Sequence, residues 1–193
     1  MSTTQPIRSI AHVQDLTKYY LKLGQHRNHR LIVFCLNTAL RIGDLLTLRW
    51  EDVYDFKRNC AYKTTTIKEQ KTGKYKTFAI NDTISGVLKK AAKAAFPHEF
   101  LFSGTSTSKA ISRIQAYRII TVAGEAIGLP NRISCHSLRK TFGYHAWKNG
   151  VSPAVIMEIY NHTNLSHTRR YLGITQDDLN DVYDRLGKAY LGN

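Results

Sequence analysis

The sequence predicts a mostly helical α+β domain with one small antiparallel β-hairpin, and three observations predict it. Apolar residues recur at helical spacing before residue 41 and again from residue 81 onward. Between these regions, residues 62–67 and 75–80 are rich in Thr and β-branched residues, and they flank the turn sequence Lys71-Thr72-Gly73-Lys74. Pro97, Gly128, Pro130, Gly150 and Pro153 punctuate the second half at intervals suited to helices of ordinary length.

Residues 9–23 place Val13, Leu16, Tyr20 and Leu23 on one helical face, with Ser9 as cap. A second helix over 28–40 is apolar from 31 to 34 and at Leu36, Ala39 and Leu40, so it belongs at the centre of the core. Residues 41–50 read as a short helix after a tight break, with Arg41 and Asp44 three apart on one face and able to pair. An arginine between two apolar runs is partly enclosed and needs partners. The hairpin carries Lys68, Lys71, Lys74 and Lys76 on or near its tip. That makes it either a solvated, charge-rich loop or a mobile finger that inserts a lysine into a nucleic-acid groove. Asn81 and Asp82 cap a helix to about residue 95, stopped by Pro97, and another covers 108–127. The helix over 136–149 sets His136 and Arg139 on one face and turns Leu138 and Phe142 toward the core. Pro153 starts a short helix, and a further one leads into Tyr171.

A chain of 193 residues, 42% hydrophobic, can bury one substantial core, and no linker-like run or internal repeat divides it. No apolar run is long enough to span a membrane, and residues 1–6 lack the apolar centre of a secretory signal, so a cytoplasmic location is expected. The initiating Met favours an intact chain. Cys35, Cys60 and Cys135 are odd in number and lack C-x-x-C spacing, which argues against a disulfide framework and against a zinc site. With 28 Lys and Arg against 14 Asp and Glu, the formal charge of +14 favours a polyanionic partner, nucleic acid before membrane. Residues 174–193 hold four aspartates against Arg185 and Lys188, a net of −2, so the remaining chain carries +16.

The chemistry centres on residues 162–171, where His162 precedes Tyr171 by nine positions and Arg169 and Arg170 lie directly before the phenol. A tyrosine among cations is a candidate nucleophile toward a phosphate, because its ester stores the energy of the broken bond and positive charge favours the phenolate. The feature is unspecific by itself, since the chain holds 11 Tyr and 8 His. There is neither a Gly-rich phosphate loop nor an acidic metal cluster, so neither cofactor nor metal is expected.

Four motifs in order carry a resemblance: Ala39-Leu-Arg41-Ile-Gly-Asp44, the turn at Lys71, His136-Ser-Leu-Arg139, and Asn161-His162 through Tyr171. Together they resemble the catalytic domain of the tyrosine recombinase (phage integrase) family over nearly the whole chain. The similarity is to stand-alone bacterial recombinases and invertases that lack the usual core-binding domain. The resemblance implies site-specific breakage and rejoining of double-stranded DNA through a 3′-phosphotyrosyl intermediate, without metal or ATP. It implies Tyr171 as nucleophile and Arg41 and Arg139 as clamps on the phosphate oxygens. Lys71 would be the acid to the leaving 5′ oxygen, His136 the proton acceptor and His162 a hydrogen-bond donor, with Asp44 orienting Arg41 or His136. Lys68, Lys74, Lys76, Arg169 and Arg170 are the expected DNA-binding residues. Two departures replace glycines: Thr38-Ala39-Leu40-Arg41 stands where the family often has Thr-Gly-Leu-Arg, and Tyr160-Asn161-His162 where it often has Leu-Gly-His. Asn tolerates a left-handed backbone, whereas Ala39 implies that the first glycine serves packing.

Relaxation of the type IB topoisomerase kind, and a non-catalytic DNA-binding accessory, remain open alternatives on sequence alone. The expected partners are DNA, a homotetramer on DNA and accessory DNA-bending proteins, with no membrane. Residues 1–174 form the catalytic part. Residues 175–193 form a C-terminal helix of the same domain whose Leu179, Val182, Tyr183, Leu186 and Tyr190 share one apolar face for docking on a neighbouring protomer.

Overall fold

The computed structural model describes residues 4–106 and 108–191, apart from the side chains of residues 170 and 177. Helix α1 (Ile10–Lys22) begins where Ser9 Oγ accepts from the His12 amide at 3.3 Å, and it packs on α2 (His26–Thr38). Helix α2 is the spine of the core: Leu31, Ile32, Val33, Phe34 and Cys35 are all buried, against α1, α5 (Asp82–Ala91) and α7 (Cys135–Lys148). It ends at Thr38 because Ala39 adopts a left-handed conformation with φ of 52°. The expectation that this position is a matter of packing alone is therefore corrected. An L-residue with a Cβ meets steric strain there of about 1–2 kcal/mol, which a glycine would escape. Asn161 has the same geometry, φ 53°, in the residue type that tolerates it.

After Arg41 come two single-turn helices, α3 (Ile42–Leu45) and α4 (Trp50–Val53), then the short pair β1 (Tyr54–Asp55) and β2 (Cys60–Ala61). The expected hairpin is β3 (Thr64–Lys68) and β4 (Tyr75–Ala79), antiparallel, with Thr65 opposite Phe78 and Ile67 opposite Lys76. Alternation along the strands turns Thr65 and Glu69, with Lys76, Phe78 and Ile80, toward the core, and leaves Thr66, Lys68, Tyr75 and Thr77 in solvent. Lys76 is thus buried, contrary to its expected place on a DNA-facing tip, because it shares the parity of Phe78 and Ile80.

Asn81 caps α5 through the Ile84 amide at 3.0 Å. Helix α6 (Arg113–Ala126) starts five residues later than expected, since Ser103 pairs with Ala110, and the Ile111 amide bonds the Phe102 carbonyl at 2.9 Å. Ser134 caps α7, and α8 (Pro153–Ile159), α9 (Leu165–Leu172) and α10 (Gln176–Leu191) complete the chain. Beside the main core, a smaller cluster of Ala39, Ile156, Tyr160 and Leu172, with Phe142, Trp147 and Tyr171 packed against it, seats α9 on α7 and α8.

The α7 backbone passes Tyr160 so closely that a Cβ at Gly143 would overlap the Tyr160 hydroxyl, which donates to the Arg139 carbonyl at 2.6 Å. Gly143→Ala is expected to destabilise the fold by about 1–3 kcal/mol through overpacking. Denaturant midpoints measure this, and Tyr160→Phe in the Gly143→Ala background should recover part of the loss by removing the clashing oxygen.

Candidate active site

The site forms where the end of α2, the hairpin, the first turns of α7 and the end of α9 converge. Arg139 is 2% exposed and held from behind. Its Nη1 donates to the Ala39 carbonyl and its Nη2 to the Tyr160 carbonyl at 3.2 Å, while the guanidinium lies 4.7 Å from the Tyr160 ring centroid. One of these carbonyls belongs to a left-handed residue and the other directly precedes one, so both backbone reversals turn an acceptor onto the same cation. Arg139 Nε is buried and has no hydrogen-bond partner among the described residues. That atom is a donor in waiting for an anion.

Arg41 does not pair with Asp44 as expected. Its Nη1 lies 2.6 Å from Glu69 Oε1, and Glu69, 1% exposed, also accepts from Thr72 Oγ1 at 2.7 Å and Asn161 Nδ2 at 3.3 Å. Desolvation opposes ionisation of Glu69, but those two hydrogen bonds and the charges of Arg41 and Lys76 hold its carboxyl below the usual range. Asp44 instead accepts the Gln70 amide at 2.8 Å with Oδ1. The reason is local: Arg41 is the extended cap of a one-turn helix, so its side chain leaves the i, i+3 geometry that a longer helix would impose. Gln70 is also gripped by its side chain, Arg113 Nη2 donating to Oε1 at 2.9 Å. Asp44 and Arg113 therefore position the turn that presents Lys71, which is exposed.

Tyr171 is half-buried near the end of α9, and its hydroxyl lies 2.6 Å from His136 Nε2. Desolvation first, then the charges of Arg139, Lys140, Arg41 and Lys71, lower the His136 pKa, which favours the neutral imidazole, the form that can accept a proton. His162, its ring centroid 5.0 Å from that of Tyr171, meets Thr168 Oγ1 at 3.1 Å through Nδ1. The cations near the phenol come from α7: Arg139 is 5.9 Å and Lys140 Nζ 5.5 Å from its ring centroid. Arg169 faces solvent and the Arg170 side chain lies outside the described residues. Successive residues on a helix point about 100° apart, so Arg169, two positions before Tyr171, does not share its face. Sequence reasoning missed Lys140, 7% exposed, although it stands next to Arg139 on the helix that carries the motif. Lys68 and Lys74 are exposed on the outer hairpin, as expected.

An N-terminal strap lies across α7. The Ile7 amide donates to Thr141 Oγ1 and the Ile7 carbonyl meets His145 Nε2, both at 2.9 Å, and Lys140 Nζ donates to the Thr4 carbonyl at 2.6 Å. Arg8 reaches the Gly173 carbonyl at 2.5 Å and Asp178 at 3.4 Å. Asp178 also pairs with Lys148 at 2.7 Å and accepts from the Thr175 amide and hydroxyl. Against desolvation, the hydrogen bonds from Lys148 and Thr175 hold its carboxyl down to about 2. Beyond this anchor, Leu179, Val182, Tyr183, Leu186 and Tyr190 are all exposed, Tyr183 by 76% and Tyr190 by 81%.

Desolvation and the charges of Arg139, Arg41, His167 and Lys76 push the His162 imidazole down to about 4. A depressed folded-state value means that the unfolded chain binds the extra proton first. This contribution to stability is therefore complete above about 6.5 and is lost as pH falls toward about 4. An NMR titration of the free protein should show the His162 ring shifting near pH 4; a midpoint near 6.5 would show that the cations do not enclose it.

A profile of the phage integrase family matches residues 9–177. The probable integrase/recombinase YoeC of Bacillus subtilis is 38% identical over 187 residues, covering 97% of this chain and 99% of that protein. Tyrosine recombinase XerA of Pyrococcus furiosus is 28% identical over 160 residues, with 81% of this chain and 54% of the relative covered, so the chain spans about half of that longer protein. Among solved structures, the post-cleavage complex of XerH recombinase with a palindromic difH substrate superposes with a TM-score of 0.76 at 19% identity, over 95% of this chain and 53% of that one. This likeness establishes the fold, and the family match with the 38% identity establishes the kinship: the chain belongs to the phage integrase family of tyrosine recombinases, which break and rejoin DNA strands.

Proposed function

We propose that this protein is a site-specific recombinase in which Tyr171 attacks a DNA phosphodiester. The observation that carries the reading is the 2.6 Å approach of the Tyr171 hydroxyl to His136 Nε2, whose neutral form burial favours, beside the backed guanidinium of Arg139. As the phenolic oxygen bonds phosphorus, its proton passes to His136. Arg139 and Arg41 take the non-bridging oxygens, where a guanidinium supplies parallel donors to developing charge, and His162 donates to the same group. The bond from phosphorus to the 5′ oxygen breaks, and that oxygen takes a proton from Lys71. The resulting 3′-phosphotyrosyl ester keeps the bond energy, so a 5′-hydroxyl from a second strand can reverse the step without ATP or metal.

Lys68, Lys74, Arg169 and Arg170 contribute to DNA binding from the outside of the hairpin and from α9. Residues 1–174 do the chemistry, and residues 175–193 dock the exposed stripe of α10 on a neighbouring protomer. Four protomers linked head to tail close into a ring on two DNA sites. The cis anchor at Asp178 and the exposure of the stripe beyond it support this division.

Tyr171→Phe is expected to bind DNA as the wild type does and to form no covalent adduct on a nicked duplex carrying the cognate site, as read by denaturing electrophoresis with labelled DNA. An adduct that persists in Tyr171→Phe overturns the assignment, and relaxation of supercoiled plasmids lacking the site would favour a topoisomerase. Truncation after Asp178 keeps the anchor, and it should leave a folded protein that binds a single site but assembles no paired-site complex in native electrophoresis. Paired complexes formed as readily as by the full chain would place the stripe outside assembly.

A further inference from the structure

Lys76 stands apart from the other hairpin lysines. Lys68, Lys71 and Lys74 are exposed, whereas Lys76 is 5% exposed and its Nζ donates to the Ala39 carbonyl at 3.1 Å. That oxygen is the one that also receives Arg139 Nη1. A single peptide carbonyl, turned inward by a left-handed residue, therefore joins strand β4 of the hairpin to the guanidinium on α7. A buried ammonium is costly, and a methionine in its place would continue the apolar face of Phe78 and Ile80 without that cost. The apolar packing of Phe78 and Ile80 supplies no reason for a cation here; the Ala39 carbonyl does.

We infer that Lys76 is a positioning residue of the strand-cutting site, which ties the hairpin bearing Lys71 to Arg139 through their shared hold on Ala39. The inference rests on the reading of Tyr171 as nucleophile. The charged groups around Lys76 are Glu69 from the hairpin, Asp44 from α3 with Arg41 at its cap, Arg139 from α7 and, before α9, His162. Desolvation, followed by the Arg139 charge, holds Lys76 down to about 7, with Arg41 acting in the same sense and Glu69 and Asp44 against it. Near neutral pH the amine is therefore poised between its two forms. A phosphodiester on Arg41 and Arg139 adds negative charge to the cluster and favours the ammonium. The ammonium then holds the Ala39 carbonyl by a charge-assisted bond, so a bound phosphate tightens the tie between the hairpin and the clamp.

The test uses the full chain and a nicked duplex with the cognate site, measuring DNA affinity and the rate of adduct formation between about pH 6 and 9, a window spanning the Lys76 transition. Wild type, Lys76→Met and Lys76→Arg are compared, with Tyr171→Phe as control. Lys76→Met is expected to melt no lower than wild type and to bind DNA, yet to form adduct about 10- to 100-fold more slowly, as small misplacements of reacting groups do. Lys76→Arg, permanently charged, should restore most of the rate and lose the alkaline decline that wild type shows above about pH 7. Adduct formed by Lys76→Met at the wild-type rate overturns the inference while leaving the nucleophile assignment standing. A Lys76→Arg profile that declines as wild type does overturns it as well, even if Lys76→Met fails to fold. Absence of adduct in wild type would remove the reading of Tyr171 and this role with it.

Discussion

The carbonyl of Ala39 fixes the relation between the parts of the site. It lies at the end of the most buried helix, in a residue whose left-handed backbone is strained for an alanine, and it takes hydrogen bonds from Arg139 and Lys76. Strain of this kind persists where the surroundings over-determine the conformation. Here the surroundings are two cations and a fully buried methyl group. The same turn releases Arg41 as the extended cap of α3, free to reach Glu69. One backbone reversal thus orients both arginines, one by its carbonyl and the other by the direction in which the chain leaves it.

The charge balance of the site follows from this arrangement. Arg41, Arg139, Lys76 and Lys140 surround Tyr171 and its two histidines, and Glu69 and Asp44 are the carboxylates within the same cluster. Asp44 keeps one buried oxygen without a partner among the described residues, as Arg139 does with Nε. Burial first, and then the excess of cations, depresses both His136 and His162, which favours their neutral forms beside the phenol. An anion brought to the cluster would relieve repulsion among these cations.

Much of this was legible in the sequence, for identifiable reasons. Ser9, Asn81 and Ser134 mark helix starts because their side chains satisfy amides that the helix leaves free. The motifs stand out because phosphate chemistry restricts the residue types that can serve, and the fold gathers Arg139, His136, His162 and Tyr171 in one place. The errors were failures of geometry. Charge alone puts Lys76 at the tip, although its even spacing from Phe78 and Ile80 sets it on the core face. Helical spacing pairs Asp44 with Arg41, which a one-turn helix does not enforce, and only the tertiary fold brings up Glu69, 28 positions away. Strands β1 and β2, two residues each, are too short to leave a periodic signal.

The strap of residues 4–8 has a mechanical meaning. It is bonded along α7 at Thr141, His145 and Lys140, and through Arg8 it grips the carbonyl of Gly173, two residues past Tyr171. Pro6 packs against that same glycine, whose left-handed turn closes α9. A pull on the chain at residue 4 is therefore shared by the helix of Arg139, by the last turn of the helix of Tyr171 and, through the buried side chain of Ile7, by the main core. Residues 4–8 thus brace the turn that follows Tyr171 against α7, as a strut braces a hinge.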